Sequence, residues 1–582
     1  MHSKSKQTSV FWRLMSYLKP YRLLTITALS FLLLTTVVRS LIPLLASYFI
    51  DFHIQHLSNS SLGILTAYFG LYILQILLQY FGNLWFSKVS YSVVRDIRHD
   101  AFKKMETLGM AYFDQTPSGS IVSRITNDTE SISEMFSGIL SSFISALFII
   151  IVTLYTMFAL DWKLTSLIVL FLPIIFVLVN QYRKRSAPIV AKTRSLLSSI
   201  NSKLAESIEG IRIIQAFSQE QRLTDEFENI NEEHLLYASR SMALDSLFLR
   251  PALSLIKILA YALLMTYFGL DWSHAGISAG LIYAFIQYVN RLFDPLLDVT
   301  QHFSTLQTSM VSAGRVFTLM DQTIEEPLQH NEGANIHHGD ICFENVSFSY
   351  DGKRKILDEV SFQVKKGQTI AFVGATGSGK SSIINVLMRF YEFESGRILI
   401  DGQDIRNFSN QELRSAIGLV LQDPFLYHGT IASNIQMYQD ISRKDIEEAA
   451  RFVDAAPFIE QLPQTYDHVV TEKGSSFSTG QRQLLAFART MASNPKILIL
   501  DEATANIDSE TEQTVLNSLE KMRKGRTTIA IAHRLSTIQD ADCIYVLEKG
   551  KIIESGTHEE LLAHNGSYHR MYKLQAGQLA TR

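Results

Sequence analysis

The sequence predicts a multidomain protein in which an all-α part with six long helices is followed by an α/β part. Three observations support this prediction. Long apolar runs dominate the chain up to residue 310, a polar stretch follows, and from Gly339 onward short β-rich runs alternate with helical stretches. The predicted strands are the β-rich runs 369–373, 397–400, 417–421, 497–500, 527–532 and 543–547. Because a chain of 582 residues is too long for one ordinary core, at least two domains are expected.

Six apolar runs in the first part are each about 20 residues long, the length that a helix needs to cross a hydrocarbon layer of ~30 Å. One such run could be a buried helix of a large soluble protein, but six within about 300 residues favour spanning helices. These predicted spans cover residues 23–45, 62–84, 139–159, 164–180, 247–268 and 277–297.

The distribution of Lys and Arg predicts how these helices are oriented. Residues 46–87 contain no Lys or Arg, whereas the connections on the opposite side are long and basic, one of them beginning Arg183-Lys184-Arg185. An excess of basic residues marks the cytoplasmic side of a membrane protein. We therefore expect a multi-pass protein of the cell membrane with both termini and the α/β part in the cytoplasm.

The two long basic connections carry helical periodicity, with apolar residues spaced by threes and fours between residues 197 and 211. They are predicted to be extensions of the spanning helices that turn near residues 113–119 and 207–210. The predicted domains are therefore a transmembrane domain over 1–310 with six spans and two long cytoplasmic extensions, a linker over 311–338 and an α/β domain over 339–582.

Composition excludes several classes of protein. Charged residues make up 19% of the chain and the formal net charge is −3, so there is no electrostatic case for nucleic-acid binding. The two cysteines, Cys342 and Cys543, are far apart and suggest no disulfide framework. The polar N-terminus precedes no short apolar core with a cleavage site, so a cleaved signal peptide is not expected.

The strongest chemical signal is a glycine-rich segment that follows a short apolar run and precedes a helix. It contains Gly374, Gly377 and Gly379, followed by Lys380 and Ser381, which is the P-loop pattern in its strand–loop–helix context. Its N–H groups and the helix N-terminus favour phosphates, Lys380 is expected to reach the β- and γ-phosphates of ATP, and Ser381 to bind Mg²⁺. The other nucleotide-binding candidates in this segment are Thr376, Ser378 and Ser382.

A second signal is an apolar run that ends in two carboxylates, Asp501 and Glu502, about 120 residues after the P-loop. Asp501 can hold the Mg²⁺ ion. Glu502 is placed to orient or deprotonate the attacking water, as a positioned base must do in phosphoryl transfer.

Between these motifs, residues 477–483 read Phe-Ser-Thr-Gly-Gln-Arg-Gln. This segment resembles the signature motif of the ATP-binding cassette (ABC) family, usually Leu-Ser-Gly-Gly-Gln. Together with the six spans, it makes nearly the whole chain similar to a half-transporter of the multidrug and lipid exporter type. In that family each ATP lies between the P-loop of one chain and the signature of the other, and the resemblance implies that Ser478, Gly480 and Gln481 contact the partner's ATP.

The resemblance also implies roles for four isolated residues. Tyr350 is similar to the aromatic residue that stacks on adenine, and Gln422 to the glutamine that contacts Mg²⁺ and the nucleophilic water. Asp508 is similar to the acid that bridges the two ATP sites, and His533 to the histidine that contacts the γ-phosphate. With Glu502, Gln422 and His533 form the predicted catalytic group, and Ser381, Gln422 and Asp501 the predicted metal ligands.

The signature departs from the family pattern at Thr479, where Gly is usual. Gly allows backbone angles and close approach that a β-branched residue resists. We therefore hypothesise a heterodimer in which this chain supplies the competent P-loop and its partner an intact signature. The alternative is a homodimer that tolerates Thr479.

Five ionisable residues fall at predicted membrane depth, and such residues commonly face a cavity or a partner. Arg39 and Lys257 are the better candidates for a polar wall of a substrate cavity. Snorkelling or ion pairing are the other interpretation, above all for Arg250. The other two are Arg291 and Asp294.

The sequence thus predicts ATP-driven export of hydrophobic or amphipathic compounds, drugs or lipids, through the bilayer by alternating access. The alternative is a homodimeric lipid flippase. A peptide exporter is disfavoured because both cysteines lie in the ATPase half, a channel-regulating ATPase because no extended regulatory domain is visible, and an importer because importers usually carry the ATPase on a separate chain.

Overall fold

The computed structural model of the chain describes residues 2–53, 61–271, 278–331, 333–437, 440–471, 474–501, 509–532 and 537–575. It divides into two compact units. Unit 1 comprises Met1–Glu106 and Ser118–Asp321, and unit 2 comprises Thr107–Pro117 and Gln322–Arg582. The boundary after Asp321 lies inside the predicted linker 311–338, but the first ten residues of that linker belong to the last helix of unit 1, Ala279–Met320.

Unit 1 is built from helices and short connections, with no strand among its described residues, as the sequence predicts. Its α-helices are α1 His2–Ser16, α2 Arg22–His53, α3 Ser61–Glu106, then, after α4 Met110–Gln115 of unit 2, α5 Ser118–Ile125, α6 Asn127–Glu134, α7 Ser141–Leu160, α8 Trp162–Val169, α9 Phe171–Glu209, α10 Ile211–Ala216, α11 Glu220–Leu244, α12 Arg250–Asp271 and α13 Ala279–Met320. Two π-helical turns, Met135–Leu140 and Asp245–Leu249, precede α7 and α12. The long helices α3 and α9 continue well past the predicted spans, so the predicted helical extensions are present, and α9 ends just before Gly210, at the predicted second turn.

Five helical stretches among the described residues are long and apolar enough to cross a membrane. They are Lys19–Asp51, Leu62–Glu106, Ser118–Leu160, Trp162–Glu209 and Glu220–Gly269, and they contain the first five predicted spans. The sixth predicted span lies largely in α13, which is not among the five. Its apolar character is interrupted by Asn290, Arg291 and Asp294, so this span stays a prediction.

Unit 2 has the predicted α/β architecture. Its strands are β1 Ile341–Phe348, β2 Leu357–Val364, β3 Thr369–Val373, β4 Ser395–Ile400, β5 Gln403–Asp404, β6 Ile417–Val420, β7 Gly429–Thr430, β8 Val469–Val470, β9 Ile497–Asp501, β10 Thr527–Ile531, β11 Cys543–Glu548 and β12 Lys551–Gly556. Its remaining helices are α14 Lys380–Leu387, α15 Asn410–Ala416, α16 Ile431–Gln436, α17 Arg443–Phe452, α18 Ala456–Glu460, α19 Thr479–Ala492, α20 Ser509–Arg523, α21 His558–Ala563 and α22 Ser567–Gln575.

The main sheet of unit 2 has the strand order β12-β11-β3-β10-β9-β6. All neighbours in it are parallel except β11 and β12. A second sheet, in the order β2-β1-β4-β5, is antiparallel. The six strands predicted from the sequence, β3, β4, β6, β9, β10 and β11, are confirmed to within two residues at each end.

The central strands are apolar on both faces because both faces of the main sheet are covered. In β3, Ile370 and Phe372 point into one apolar cluster, and Ala371 and Val373 into the other. This alternation follows from the two-residue period of a strand. The sheet is thus held from both sides, which fixes the positions where its strands end.

Candidate functional site

The predicted ATP-site residues follow the carboxyl ends of neighbouring parallel strands. Phe372 of β3 is paired with Ile531 of β10, Ile531 with Asp501 of β9, and the preceding residue of β9, Leu500, with Val420 of β6. The loop after β3, Asp501, and Gln422 two residues after β6 therefore lie at one edge of the sheet, where α/β domains bind ligands. Glu502, Asp508 and His533 lie outside the described residues.

The P-loop is a tight turn closed by its own lysine. Lys380 is 5% exposed, and its Nζ donates to the carbonyl oxygens of Gly374 at 2.8 Å and Ala375 at 3.1 Å. Helix α14 begins at this residue, directly after Gly379. The ammonium group is thus held inside the concave loop, beside the N-terminus of a helix that favours anions.

The loop offers hydrogen-bond donors to a phosphate chain. Among the described residues, no acceptor is present for the N–H groups of Gly377 and Gly379, and the buried Ser378 hydroxyl likewise has no hydrogen-bond partner. Gly379 has φ +107°, and a Cβ there would lie 2.8 Å from the Ile356 oxygen, so glycine is required. These donors fit the phosphates of ATP.

Tyr350 is fixed beside the P-loop helix with its ring accessible. Its hydroxyl lies 3.0 Å from the Ser382 hydroxyl and accepts from Asn385 Nδ2 at 2.9 Å, so two residues of α14 hold it. Its ring also packs edge-on against Phe348 and Tyr391. Because 41% of Tyr350 remains exposed, the residue is accessible for the stacking on adenine that the resemblance implies, and this role stays a prediction.

Tyr391 and Asn385 are the supports of Tyr350 that sequence reasoning missed. The Tyr391 hydroxyl donates to the carboxylate of Asp114, which lies in α4 of the same unit. Burial, together with this carboxylate, raises the pKa of Tyr391, so the phenol is neutral at physiological pH. A single aromatic or amide side chain has no sequence signal of its own.

The predicted Mg²⁺ ligands are oxygen donors, the kind that Mg²⁺ prefers. Ser381 is exposed in the first turn of α14, Gln422 is exposed after β6, and Asp501 is partly exposed at the end of β9. The donor set fits the ion, which would neutralise charge on the phosphates when bound. Within the described part of the chain no cluster of three or more His, Cys, Asp or Glu suggests another metal site.

The signature segment begins helix α19. Ser478 is the N-cap: its Oγ accepts from the Gln481 N–H at 3.2 Å, and its own N–H donates to Gln481 Oε1 at 3.0 Å. Gly480 is buried, and Thr479 Oγ1 accepts from Arg482 at 3.1 Å. Thr479 opens a regular helix and does not have a positive φ. The backbone-angle part of the argument from Thr479 is therefore not supported, and only the steric part remains.

Comparison with known proteins decides the family. The profile of the ABC transporter transmembrane region matches residues 25–296, and the profile described as ABC transporter matches residues 357–505.

The chain belongs to the ABC transporter family.

Named relatives are similar in sequence to this transporter over most of its length. It is 70% identical over 580 residues to the ABC transporter ATP-binding protein exp8 of Streptococcus pneumoniae serotype 4, with all of both chains covered. It is 43% identical over 519 residues to the multidrug resistance ABC transporter ATP-binding/permease protein YheH of Bacillus subtilis, covering 88% of this chain and 77% of that one. It is also 33% identical over 536 residues to an ATP-dependent lipid A-core flippase of Syntrophus aciditrophicus, covering 92% and 88%.

A solved structure of a bacterial Atm1-family ABC exporter with ATP bound has the same fold, with a TM-score of 0.78 and 29% sequence identity over 96% of this chain and 100% of that one. The predicted fold class, a helical transmembrane domain followed by an α/β ABC ATPase domain, is confirmed. The transporter is a membrane protein that binds ATP and couples its hydrolysis to transport, and ABC exporters work as dimers.

The charged residues predicted at membrane depth fall into two groups in unit 1. Lys257 and Asp294 form an ion pair at 3.5 Å between α12 and α13. Arg39 and Arg291 line a cavity of about 550 Å³, and the Arg291 guanidinium donates to the backbone oxygen of Arg39. Arg250 lies in α12, and its side chain is outside the described residues.

Proposed function

We propose that this chain is the catalytically competent half of a heterodimeric exporter of amphipathic or hydrophobic compounds, drugs or lipids, with its termini and ATPase domain in the cytoplasm. One observation carries the catalytic part: the P-loop, Asp501 and Gln422 lie at one edge of the sheet in a chain that also carries the membrane helices. The multidrug relative in Bacillus subtilis supports the substrate class.

In this proposal the chain's own residues bind and orient ATP. Tyr350 stacks on the adenine, and the N–H groups of the P-loop with Lys380 bind the β- and γ-phosphates. Ser381, Gln422 and Asp501 would hold Mg²⁺, which would neutralise charge on the phosphates when bound. Glu502 orients the attacking water while His533 contacts the γ-phosphate, and Asp508 bridges to the second ATP site.

The heterodimer rests on asymmetry within the chain. The P-loop and the carboxylate pair are intact, whereas Thr479 brings a bulkier residue to the place where the signature must approach the partner's ATP. Ser478, Gly480 and Gln481 would therefore bind that ATP less closely. The regular backbone at Thr479 and the lipid flippase relative favour the second candidate, a homodimeric lipid flippase.

The test is ATPase activity in lipid for the chain purified alone and for the chain co-expressed with any half-transporter encoded next to its own gene. We expect activity in the co-expressed form only, abolished by Glu502→Gln. The matched control is Glu520→Gln on α20, which removes a carboxylate that pairs with Lys524 at 3.0 Å and should change nothing. Full Glu502-dependent activity of the chain alone would establish the homodimer instead.

A second variant separates the role of Thr479 from that of the partner. If size at this position limits the chain alone, Thr479→Gly should raise its ATPase activity several-fold in the absence of a partner. Unchanged activity of Thr479→Gly would remove the steric argument for a heterodimer. Transport itself is measured as ATP-dependent movement of a fluorescent amphiphile in proteoliposomes, with Lys380→Met as the inactive control.

A further inference from the structure

The cavity in unit 1, here called the Arg39 cavity, is an unusual place for two arginines. It is lined by α2, α3, α13 and the segment from the π-helical turn Met135–Leu140 into α7. Arg39 lies inside the predicted span 23–45, 16 residues from its start and six from its end. A guanidinium at such a position is costly unless it faces a cavity or a counter-charge.

The charges around this cavity do not balance. Of the lining residues only Asp294 is acidic, and it is paired with Lys257 at 3.5 Å. No carboxylate in the described part of the chain lies within ion-pair distance of Arg39 or Arg291. Arg39 and Arg291 therefore line the cavity with no carboxylate paired to either of them, and two guanidinium groups lining one cavity repel each other unless an anion joins them.

The walls supply further donors and an apolar surface. Among the lining residues are five serines: Ser87, Ser137, Ser141, Ser142 and Ser145. The hydroxyls of Ser137 and Ser141 donate to helix backbone oxygens at 2.8 Å and 2.7 Å, but the other three have no hydrogen bond within the described residues. Phe86 and Ile149 line the same space, so the cavity combines donors for an anion with contacts for an apolar body.

The π-helical turn is a second, independent feature of this wall. It contributes Ser137 and Gly138 to the lining, and such turns are frequent at functional sites because they displace the helix backbone locally. A volume of about 550 Å³ lies in the range of small-molecule sites. The cavity is therefore large enough for a charged head group with part of its tail.

We propose that the Arg39 cavity binds the anionic head group of the transported compound, so that the substrates are amphipathic anions bearing a carboxylate, phosphate or sulfonate. The planar guanidinium matches such groups in a two-pronged geometry, and the serine hydroxyls donate to the remaining oxygens. This inference rests on the proposed export function for its meaning, but the binding site can be tested without transport.

The experiment measures binding by calorimetry, without ATP, to the full chain with its partner in phosphatidylcholine nanodiscs. The probes are octyl phosphate and octyltrimethylammonium, which share a tail and differ in charge, and empty nanodiscs give the partition baseline. We expect octyl phosphate to bind at least about tenfold more tightly than the cation, and Arg39→Gln to weaken octyl phosphate by about tenfold. Arg39→Lys, which keeps the charge, should restore part of the loss.

Arg22→Gln is the matched control, since it removes an exposed cation from the start of the same helix and outside the cavity. Arg291 is left intact because its guanidinium binds the backbone of Arg39. Equal affinities for the two probes, or octyl phosphate binding that Arg39→Gln does not change, would overturn the proposal. Competition by phosphatidylglycerol that depends on Arg39 would identify a membrane lipid as the source of the anion, and lack of competition a soluble amphiphile.

Export in proteoliposomes separates this inference from the proposed function. Arg39-dependent binding without ATP-driven movement of either probe would refute export and leave the anion site standing. ATP-driven movement of the cation, with no binding of octyl phosphate, would refute the anion site and leave export standing.

Discussion

The phosphate-binding part of the candidate ATP site in unit 2 is made largely from main-chain groups of one continuous loop, whereas the Arg39 cavity of unit 1 is made from side chains of four separate helical segments. Phosphate binding therefore depends on a contiguous sequence motif, because the N–H groups point inward only when Gly377 and Gly379 stand at fixed spacing. The composition of the cavity depends instead on how the helices pack, since Arg39 and Arg291 are 252 positions apart in the chain. Under the two proposals above, changes in the cavity lining alter which compounds bind without altering the loop that binds the phosphates.

The sharpest test of this contrast is Lys380→Met. It removes the cation held within the P-loop, so ATPase activity should fall by about 100-fold or more, as when one preorganised charge-stabilising donor is lost. Lys380→Met should lower the transport of every compound to the same extent, whereas Arg39→Gln should lower the transport of only some compounds. Activity is measured in lipid against Lys365→Met, which removes an exposed lysine from the turn before β3. A loss restricted to particular substrates would contradict the division of roles.

The same contrast explains what could be predicted from the sequence. The P-loop, the strand ending at Asp501 and the signature were predicted because each is contiguous, and the six predicted strands are confirmed because buried parallel strands are continuous apolar runs. The Arg39 cavity could not be assembled from sequence, because nothing in the chain relates Arg39 to Ser142 or Arg291. The roles of Asn385 and Tyr391 could not be predicted for the same reason, because they depend on which side chains the fold brings against Tyr350.

Arg389 and Arg39 allow a structural role of an arginine to be compared with a proposed binding role. Arg389 in unit 2 is fully buried: its guanidinium donates to both oxygens of Glu392 at 2.8 and 2.7 Å and to Gln329 and the Leu328 carbonyl. Arg389→Met should lower the free energy of unfolding by about 3 kcal/mol, because these acceptors lose their partner. Arg39→Gln, which lies in unit 1, should leave the unfolding of unit 2 unchanged.

Urea unfolding followed by thiol labelling reports on unit 2 directly. Both cysteines of the chain lie there, partly buried on β1 and β11, whereas none of its four tryptophans does. Equal midpoints for Arg389→Met and the unmodified chain would show that the buried guanidinium contributes nothing to the stability of the ATPase domain.

A pair of glycine variants tests whether the ATP site depends on its backbone. Gly379→Ala and Gly377→Ala both place a side chain at positive φ, +107° and +80°, but only the first places a Cβ against a backbone atom, the Ile356 oxygen at 2.8 Å. Gly379→Ala should therefore cost about 1–3 kcal/mol more than Gly377→Ala in the absence of nucleotide. Thiol labelling in urea measures the difference, and identical costs would show that the loop can move away from Ile356.

The smallest effect concerns Asp401, whose carboxylate, like the P-loop, is organised by the main chain. It accepts four N–H groups, from residues 337–340, at 2.6–2.9 Å. Burial opposes its charge, but these hydrogen bonds together outweigh burial and lower the pKa of Asp401. Because the folded pKa is the lower one, the stabilisation is complete above the unfolded pKa of about 3.9 and is lost as the pH falls through the folded value.

Asp401→Asn should therefore weaken hydrogen-exchange protection of residues 337–340 by about tenfold at pH 7, since an amide can accept only part of these bonds. The difference from the unmodified chain should persist at pH 5 and shrink near pH 3. Asp351→Asn is the control: Asp351 also accepts two backbone N–H groups, those of Lys353 and Arg354, but in another turn, so it should leave 337–340 unchanged. A difference that stays constant down to pH 3 would mean that hydrogen-bond geometry, and not the carboxylate charge, holds the segment before β1.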